Sequence, residues 1–220
     1  MITEINGLNI NCICEGDNPE GLCVLLLHGW GANIKLFSDI ISCLSPHFKV
    51  YAPDLPGFGE SDEPKEPWSV DDYADFVISF CEKEGIKSCY VIAHSFGGRI
   101  TIKLMSRENL PFEIRKIVLT GSAGIKPKGT VKGKIKTRCY KVGKRILSAK
   151  ICKKLMPDAL ENLRRKNGSA DYNAASPLMR QCLVKVVNED LTCLIPHIDV
   201  PTLLVWGQND DAVPLSDGQL

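Results

Sequence analysis

The chain passes from a predicted strand into a predicted helix at Ala93-His94-Ser95-Phe96-Gly97-Gly98, and this junction decides the fold. The preceding run, Cys89-Tyr90-Val91-Ile92-Ala93, has the length and composition of a strand that is buried on both faces. A helical pattern follows from about Phe96 to Ser106. At such a junction the chain turns sharply, small neighbours let the turn close, and the hydroxyl of Ser95 projects away from the sheet.

Ser95 also lies at the N-terminus of the predicted helix, where unpaired backbone N–H groups favour developing negative charge. A serine in this position can act as a nucleophile, or it can simply cap the helix with its side chain. The context of strand, turn and helix favours the nucleophile. Ser95 is therefore the candidate catalytic residue.

A glycine-rich turn, His28-Gly29-Trp30-Gly31, directly follows another apolar run of strand length, Leu22 to Leu27. Acyl transfer needs backbone donors aimed at the oxyanion, and a turn at the carboxyl end of a strand can supply one. We expect the N–H groups of Trp30 and Phe96 to form this oxyanion hole. Taken alone, the motif would indicate no more than a plain glycine-rich turn.

Strands and helices alternate along most of the chain. Strands are predicted in 2–14 (one or two), 22–27, 48–52, 89–93, 116–120 and 202–206, and helices over 34–44, 70–84 and 96–106. This spacing is typical of βαβ units, so we predict an α/β fold with a mostly parallel central sheet and flanking helices. The run at 202–206 has the apolar composition of a buried strand.

The alternation stops between residues 125 and 195, where only helical patterns occur, such as Ile135, Cys139, Val142 and Ile146. We predict a core domain over 1–124, a helical cap insertion over 125–196, and a continuation of the core over 197–220. The middle segment is also chemically distinct. Residues 126–166 hold fifteen Lys and Arg but two acids, a local charge of +13, so the rest of the chain carries −12.

These motifs together resemble the α/β-hydrolase superfamily along the whole chain, with Ala93 in place of the first glycine of G-x-S-x-G. The segment Asp54-Leu55-Pro56-Gly57-Phe58-Gly59-Glu60-Ser61 resembles a loop of that family and is expected to be structural. The segment 206–214, Trp-Gly-Gln-Asn-Asp-Asp-Ala-Val-Pro, resembles the part that carries the catalytic acid. The resemblance assigns this acid to Asp210, in preference to Asp211.

The resemblance also implies a catalytic histidine on a loop after one further strand, but the chain ends at Leu220. We therefore expect a truncated fold without its last strand and helix, inactive without that histidine, and with 202–206 left as an exposed edge. Structural roles are expected for His28, His47, His94 and His197. His94 should point to the other side of the turn from Ser95, and His197 is the one to test as a surrogate base.

The implied activity is that of a serine-dependent hydrolase of a small or medium ester, thioester or related acyl or oxo-acid compound. Two alternatives stay open: a non-catalytic ligand-binding module, and a hydrolase of carbon–carbon bonds in oxo-dienoate acids. Gly29, His94 and Arg99 are candidate substrate contacts, although a structural pairing is the favoured role of Arg99. The basic segment can attract an anionic substrate, lie against anionic lipid, or be a solvated face.

The composition of the chain indicates which cofactors and which cell compartment to expect. The ten cysteines include no C-x-x-C pair, so no zinc or redox site is indicated, and no metal or cofactor is expected. The chain contains no apolar run long enough to cross a membrane and does not begin with a signal peptide, which favours the cytoplasm. Neither a nucleic-acid-binding motif nor an indication of oligomeric state is visible.

Overall fold

The computed structural model describes residues 1–17, 22–126, 138, 145, 158, 159, 162, 163 and 168–220. The chain divides into two compact units, one made of residues 1–126 and 181–220 and the other of residues 127–180. The first unit holds every strand that the structure describes. Within the described residues, no helix is long and apolar enough to cross a membrane.

Seven strands form one sheet in the order β1-β2-β4-β3-β5-β6-β7. The strands are β1 (Ile2–Ile5), β2 (Leu8–Glu15), β3 (Leu22–Leu27), β4 (Lys49–Pro53), β5 (Ser88–His94), β6 (Glu113–Thr120) and β7 (Thr202–Val205). β1, β2 and β4 pair in antiparallel fashion, and every other neighbouring pair is parallel. The predicted α/β fold with a mostly parallel sheet is confirmed.

The helices that the structure describes are α1 (Ser38–Leu44), α2 (Val70–Lys83), α3 (Phe96–Met105), α4 (Ala170–Ala174), α5 (Pro177–Asn188) and α6 (Leu215–Gly218). The helix predicted over 34–44 begins as a 3₁₀ turn, Ile34–Phe37, which leads into α1. α2 starts with a capping box, in which the Ser69 side chain accepts from the Asp72 amide and the Asp72 carboxylate accepts from the Ser69 amide.

β3 and β5 lie at the centre of the sheet and bring the two predicted motifs together. Leu25, Leu26 and Leu27 are fully buried, as expected for a strand covered on both faces. β3 and β5 are parallel, and Leu27 pairs with Ala93 at their carboxyl ends. Because the two strands end side by side, the turn that follows Leu27 lies next to the turn that holds Ser95.

β7 lies at one edge of the sheet, and the prediction that it is buried was wrong. The exposed fractions of Leu203, Leu204 and Val205 are 59%, 48% and 47%. β7 pairs with β6 on one side, and no strand of the described part of the chain pairs with its other side. An apolar run identifies a strand but not its place in the sheet, which is why composition misled here. The expectation of an exposed edge is confirmed.

The cap insertion over 125–196 stays a prediction. Its helical pattern at Ile135, Cys139, Val142 and Ile146 lies outside the described residues. The division into compact units groups residues 181–196 with the strands, so the second unit is shorter than the predicted insertion. Inside that unit, Arg180 donates from Nε to the Tyr172 carbonyl at 2.9 Å and lies over the Tyr172 ring.

Candidate active site

Ser95 occupies the turn between β5 and α3 in a strained backbone conformation. Its φ is 48° and its ψ is −104°, a backbone region that residues other than glycine rarely adopt. The surroundings hold it there. The Ser95 amide donates to the Thr120 carbonyl at 3.1 Å, and the Ser95 carbonyl accepts from the amides of Gly98 and Ala123 at 3.0 and 3.1 Å. The fold therefore maintains this turn against its own backbone preference.

The Ser95 side chain makes no capping hydrogen bond to α3. The alternative reading of Ser95 as a helix cap is therefore wrong, since a capping serine accepts from a backbone amide of the first turn. A strained serine whose hydroxyl is not used by its own helix is the arrangement that a nucleophile requires.

Three glycines allow the turn to pack closely. A Cβ on Gly97 would overlap the Leu27 carbonyl of β3, and a Cβ on Gly98 would overlap the Ser122 hydroxyl. A Cβ on Gly29 would lie 2.7 Å from His94 Nδ1 and 3.2 Å from Ser95 Cβ. The predicted oxyanion turn thus touches the turn that carries Ser95.

Trp30 and Phe96 lie side by side at this junction. Their rings are 5.3 Å apart between centroids and meet at 70°. Among the described residues, neither of their backbone amides donates to an acceptor. Two unused N–H donors next to a strained serine, one of them at a helix N-terminus, can bind a negatively charged oxygen.

His28 is committed to a structural role, as predicted. It is fully buried, its Nε2 accepts from the Leu55 amide at 2.9 Å, and its Nδ1 lies 2.8 Å from the Gly29 carbonyl. Because Nε2 accepts, the proton is on Nδ1, which donates to Gly29. Burial lowers the pKa of His28, which favours the neutral ring. His28 therefore has no free nitrogen to receive a proton from Ser95.

The His94 side chain lies next to the predicted oxyanion turn. Its Nδ1 is buried against Gly29 and has no hydrogen-bond partner within the described part of the chain. Burial lowers the pKa of His94, and the charge of Asp210 acts in the opposite direction. The ring faces the oxyanion turn and lies within the electrostatic reach of Asp210. Its role as a substrate contact stays a prediction.

The other two histidines are exposed. The His197 Nδ1 lies 3.2 Å from the Leu194 carbonyl in the 3₁₀ turn Thr192–His197. His47 lies between α1 and β4. Within the described part of the chain, neither histidine contacts Ser95. The structure therefore offers no support for His197 as a surrogate base.

Asp210 follows β7 at the same edge of the sheet as Ser95. Its Oδ1 accepts from the amides of Ala212 and Val213, both at 2.9 Å. A Cβ on Gly121, which has a φ of 49°, would lie 3.1 Å from Asp210 Oδ2. The amide of Gly121 follows Thr120, whose carbonyl holds Ser95. The Asp210 carboxylate is therefore fixed and half-buried, and it lies near the end of β6. Asp211 is exposed.

The sequence allowed Arg99 to be a substrate contact or to pair structurally, and the structure shows a structural pairing. The side chain is buried, and its Nη1 donates to the Glu189 carbonyl at 2.8 Å. Burial lowers the pKa of Arg99, while Glu189 and Asp190 favour its charged form. The guanidinium ties α3 to the segment after α5, so it is not the free carboxylate binder that the sequence allowed.

Sequence reasoning missed the contribution of Thr120-Gly121-Ser122. Thr120 holds the Ser95 amide, Gly121 gives Asp210 room, and Ser122 packs on Gly98. The available signal was a small-residue stretch directly after a predicted strand. In the described residues, no group of three or more His, Cys, Asp or Glu side chains is arranged to hold a metal ion.

Comparison with known proteins places the chain in one family. Residues 23–132 match the family described as the alpha/beta hydrolase fold. A pimeloyl-[acyl-carrier protein] methyl ester esterase of Shewanella woodyi is 28% identical over 224 aligned positions, which cover 95% of this chain and 82% of the esterase. A 2-hydroxymuconate semialdehyde hydrolase of Pseudomonas sp. strain CF600 is 29% identical over 113 positions, 50% of this chain and 39% of that protein.

Solved structures agree on the fold. A thermophilic esterase from Thermogutta terrifontis superposes with a TM-score of 0.71 at 19% identity, covering 100% of this chain and 84% of the esterase. A meta-cleavage product hydrolase from Pseudomonas fluorescens IP01 gives a TM-score of 0.68 at 22% identity, covering 100% and 83%. At these identities the likeness concerns the fold alone.

Proposed function

Because the chain belongs to the α/β hydrolase fold family, whose match spans residues 23–132 of its 220 residues, we propose that it is a serine-dependent hydrolase. Its substrate is a small or medium carboxylic ester, thioester or related acyl compound. The observation that carries this proposal is the strained backbone of Ser95, held beside Gly29 with no capping bond. Strain of this kind persists where function requires it.

In the proposed reaction, Ser95 Oγ attacks the carbonyl carbon of the substrate and gives its proton to a general base. The carbonyl oxygen becomes an oxyanion and accepts hydrogen bonds from the amides of Trp30 and Phe96. Each such donor contributes on the order of 10²–10³ to the rate. Collapse of the intermediate expels the alcohol or thiol, which takes up the proton, and water then hydrolyses the acyl group from Ser95.

The proposed role of Asp210 is to orient the imidazole that serves as the base. Its Oδ1 is held by two amides, whereas its Oδ2 accepts no hydrogen bond among the described residues. We propose that none of the four histidines is this base. His28 has no free nitrogen, and His47 and His197 are exposed. The His94 Nδ1 is covered by Gly29.

An ester is favoured over a carbon–carbon bond as the group that is cleaved. The esterase relative aligns over 95% of this chain, and the semialdehyde hydrolase over 50%. Carbon–carbon bond hydrolysis of oxo-dienoate acids is the second candidate, because the same serine and oxyanion turn would serve it. A panel of both substrate types distinguishes the two, since an esterase would leave the dienoate acids unchanged.

The first test of this proposal uses a fluorophosphonate, which phosphonylates an activated serine with loss of fluoride. We expect one label, on Ser95, and we expect added imidazole to accelerate labelling because free imidazole can act as the general base. Ser95→Ala should abolish the label. Ser106→Ala, at the other end of α3, is the matched control and should label at the wild-type rate. Mass spectrometry of the labelled peptide gives the site.

The outcomes separate the alternatives. Labelling that survives in Ser95→Ala would contradict the assignment of the nucleophile. A folded wild-type chain that stays unlabelled with imidazole would support the non-catalytic binding module. Labelling without imidazole that is lost when His94 is replaced would identify His94 as the base.

A further inference from the structure

One ring connects the two residues that are proposed to form the oxyanion hole. The ring of Phe58 lies 4.8 Å from that of Trp30 and 6.5 Å from that of Phe96, between centroids. Trp30 and Phe96 are themselves 5.3 Å apart, so the three rings form a closed triangle. Phe58 also meets His28 edge-on at 5.6 Å. Phe58 therefore touches both sides of the candidate oxyanion hole.

Phe58 is held rigidly by the loop formed by residues 54–61. The Phe58 amide donates to the Leu55 carbonyl at 3.0 Å, and its carbonyl accepts from the Ser61 amide at 3.1 Å. Asp54, which is buried, accepts from the Glu60 amide at 3.0 Å and, through its carbonyl, from the Ser61 hydroxyl at 2.7 Å. The loop thus presents the ring from a fixed backbone.

The same loop reaches Phe96 by a second route. The hydroxyl of Tyr73 donates to the Pro56 carbonyl at 3.1 Å, and the Tyr73 ring lies 4.9 Å from that of Phe96 at 89°. Among the residues that the structure describes, the Trp30 ring contacts the rings of Phe58 and Phe96 and no other aromatic ring. Loss of Phe58 would therefore affect Trp30 more than Phe96.

An oxyanion hole works when its donors are positioned before the reaction, and tolerances are on the order of 0.5 Å. Edge-to-face ring pairs fix orientation as well as distance, which a smaller apolar side chain does not. Without the ring of Phe58, the half-buried side chain of Trp30 would have free space on one side, and its amide would move with it.

From this arrangement we propose that Phe58 is a positioning residue, which fixes the amides of Trp30 and Phe96 in the geometry that binds the oxyanion. The inference deepens the proposed function and rests on it. It assigns a role to a loop that the sequence indicated as purely structural.

The test compares Phe58→Leu and Phe58→Met with Phe58→Tyr, which keeps the ring, in the presence of imidazole. We expect the rate of Ser95 phosphonylation, and the kcat for p-nitrophenyl acetate and octanoate, to fall by about 10-fold or more in the first two variants. KM should be little changed, and the loss should be equal for the two esters. Phe58→Tyr should restore the rate to within about threefold.

Phe37→Leu is the matched control, because Phe37 is as buried as Phe58 (3% and 9% exposed) but packs against Val24, Ile34 and Ile41. It should lose stability without losing rate. A loss that grows with acyl length would overturn the proposal by making Phe58 a substrate contact. So would wild-type rates in Phe58→Leu and Phe58→Met, or failure of both to fold when Phe37→Leu folds. An unlabelled wild-type chain would instead contradict the proposed function of Ser95.

Discussion

Ser95 is under strain because the surrounding chain requires its backbone conformation. The amides of Gly98 and Ala123 and the carbonyl of Thr120 fix its position, and Gly29 packs against its Cβ. A non-glycine residue in a disfavoured region of this kind costs on the order of 1–3 kcal/mol. The protein thus gives up stability at the residue that the proposed function uses.

Stability measurements can reveal this strain directly. Ser95→Gly should raise the free energy of unfolding relative to Ser95→Ala by about 1 kcal/mol, because relief of the strain exceeds the cost of glycine in the unfolded state. Chemical denaturation of the two variants gives this difference. At Ser106, where φ is −85°, the glycine variant should be no more stable than the alanine variant. Equal stabilities at position 95 would show that the turn is relaxed.

Single residues also show where sequence reasoning stops. His28 and Arg99 are polar residues near the candidate site, and their positions in the sequence allowed either a structural or a functional role. Their partners decided the matter: Leu55 and Gly29 for His28, and Glu189 for Arg99. These partners are distant in sequence in two of three cases, so no local pattern could have identified them.

Among the elements, β7 differs most from its sequence pattern. β3 and β7 have similar apolar runs, but Leu25 to Leu27 are fully buried and Leu203 to Val205 are about half exposed. An edge strand with unpaired backbone groups and apolar side chains is a site for pairing with another chain. The exposed apolar side chains of β7 are therefore a surface on which a second chain can pair.

A charge on the edge should reduce this pairing. We expect Leu203→Lys to shift the chain towards the monomer in sedimentation velocity, since a lysine on an exposed edge disfavours strand pairing. Val184→Lys is the control, because Val184 is an apolar residue on α5 that is also about half exposed. If both lysine variants reduced association equally, general charge repulsion would be the cause. If neither did, the edge would not be the contact.

At the scale of the whole molecule, the charge distribution is strongly uneven. Residues 126–166 carry +13 and the remainder −12, although the net charge is +1. Charges of one sign that are concentrated in one segment can raise the association rate of a ligand of opposite sign, and salt weakens this effect. The charge pattern therefore bears on the choice between anionic and neutral substrates.

Ionic strength provides the test. For an ester that bears a carboxylate, we expect the second-order rate of Ser95 acylation to fall by up to about 10-fold between low and high salt. A neutral ester of the same size should show little change. Lys153→Gln combined with Lys154→Gln should reduce the salt dependence. If the rate with the anionic ester rose with salt, the acidic remainder of the chain would dominate the field at the site.

The sequence by itself determined the α/β class, the alternation of strands and helices with a mostly parallel sheet, and the junction at Ser95. These depend on local patterns: runs of apolar residues, helical periodicity and small residues at a turn. Tertiary structure alone decided that Phe58 contacts Trp30 and Phe96, and that Thr120 holds Ser95. Such contacts join residues far apart along the chain, and a local pattern carries no information about which distant residue will fill a space or accept a hydrogen bond.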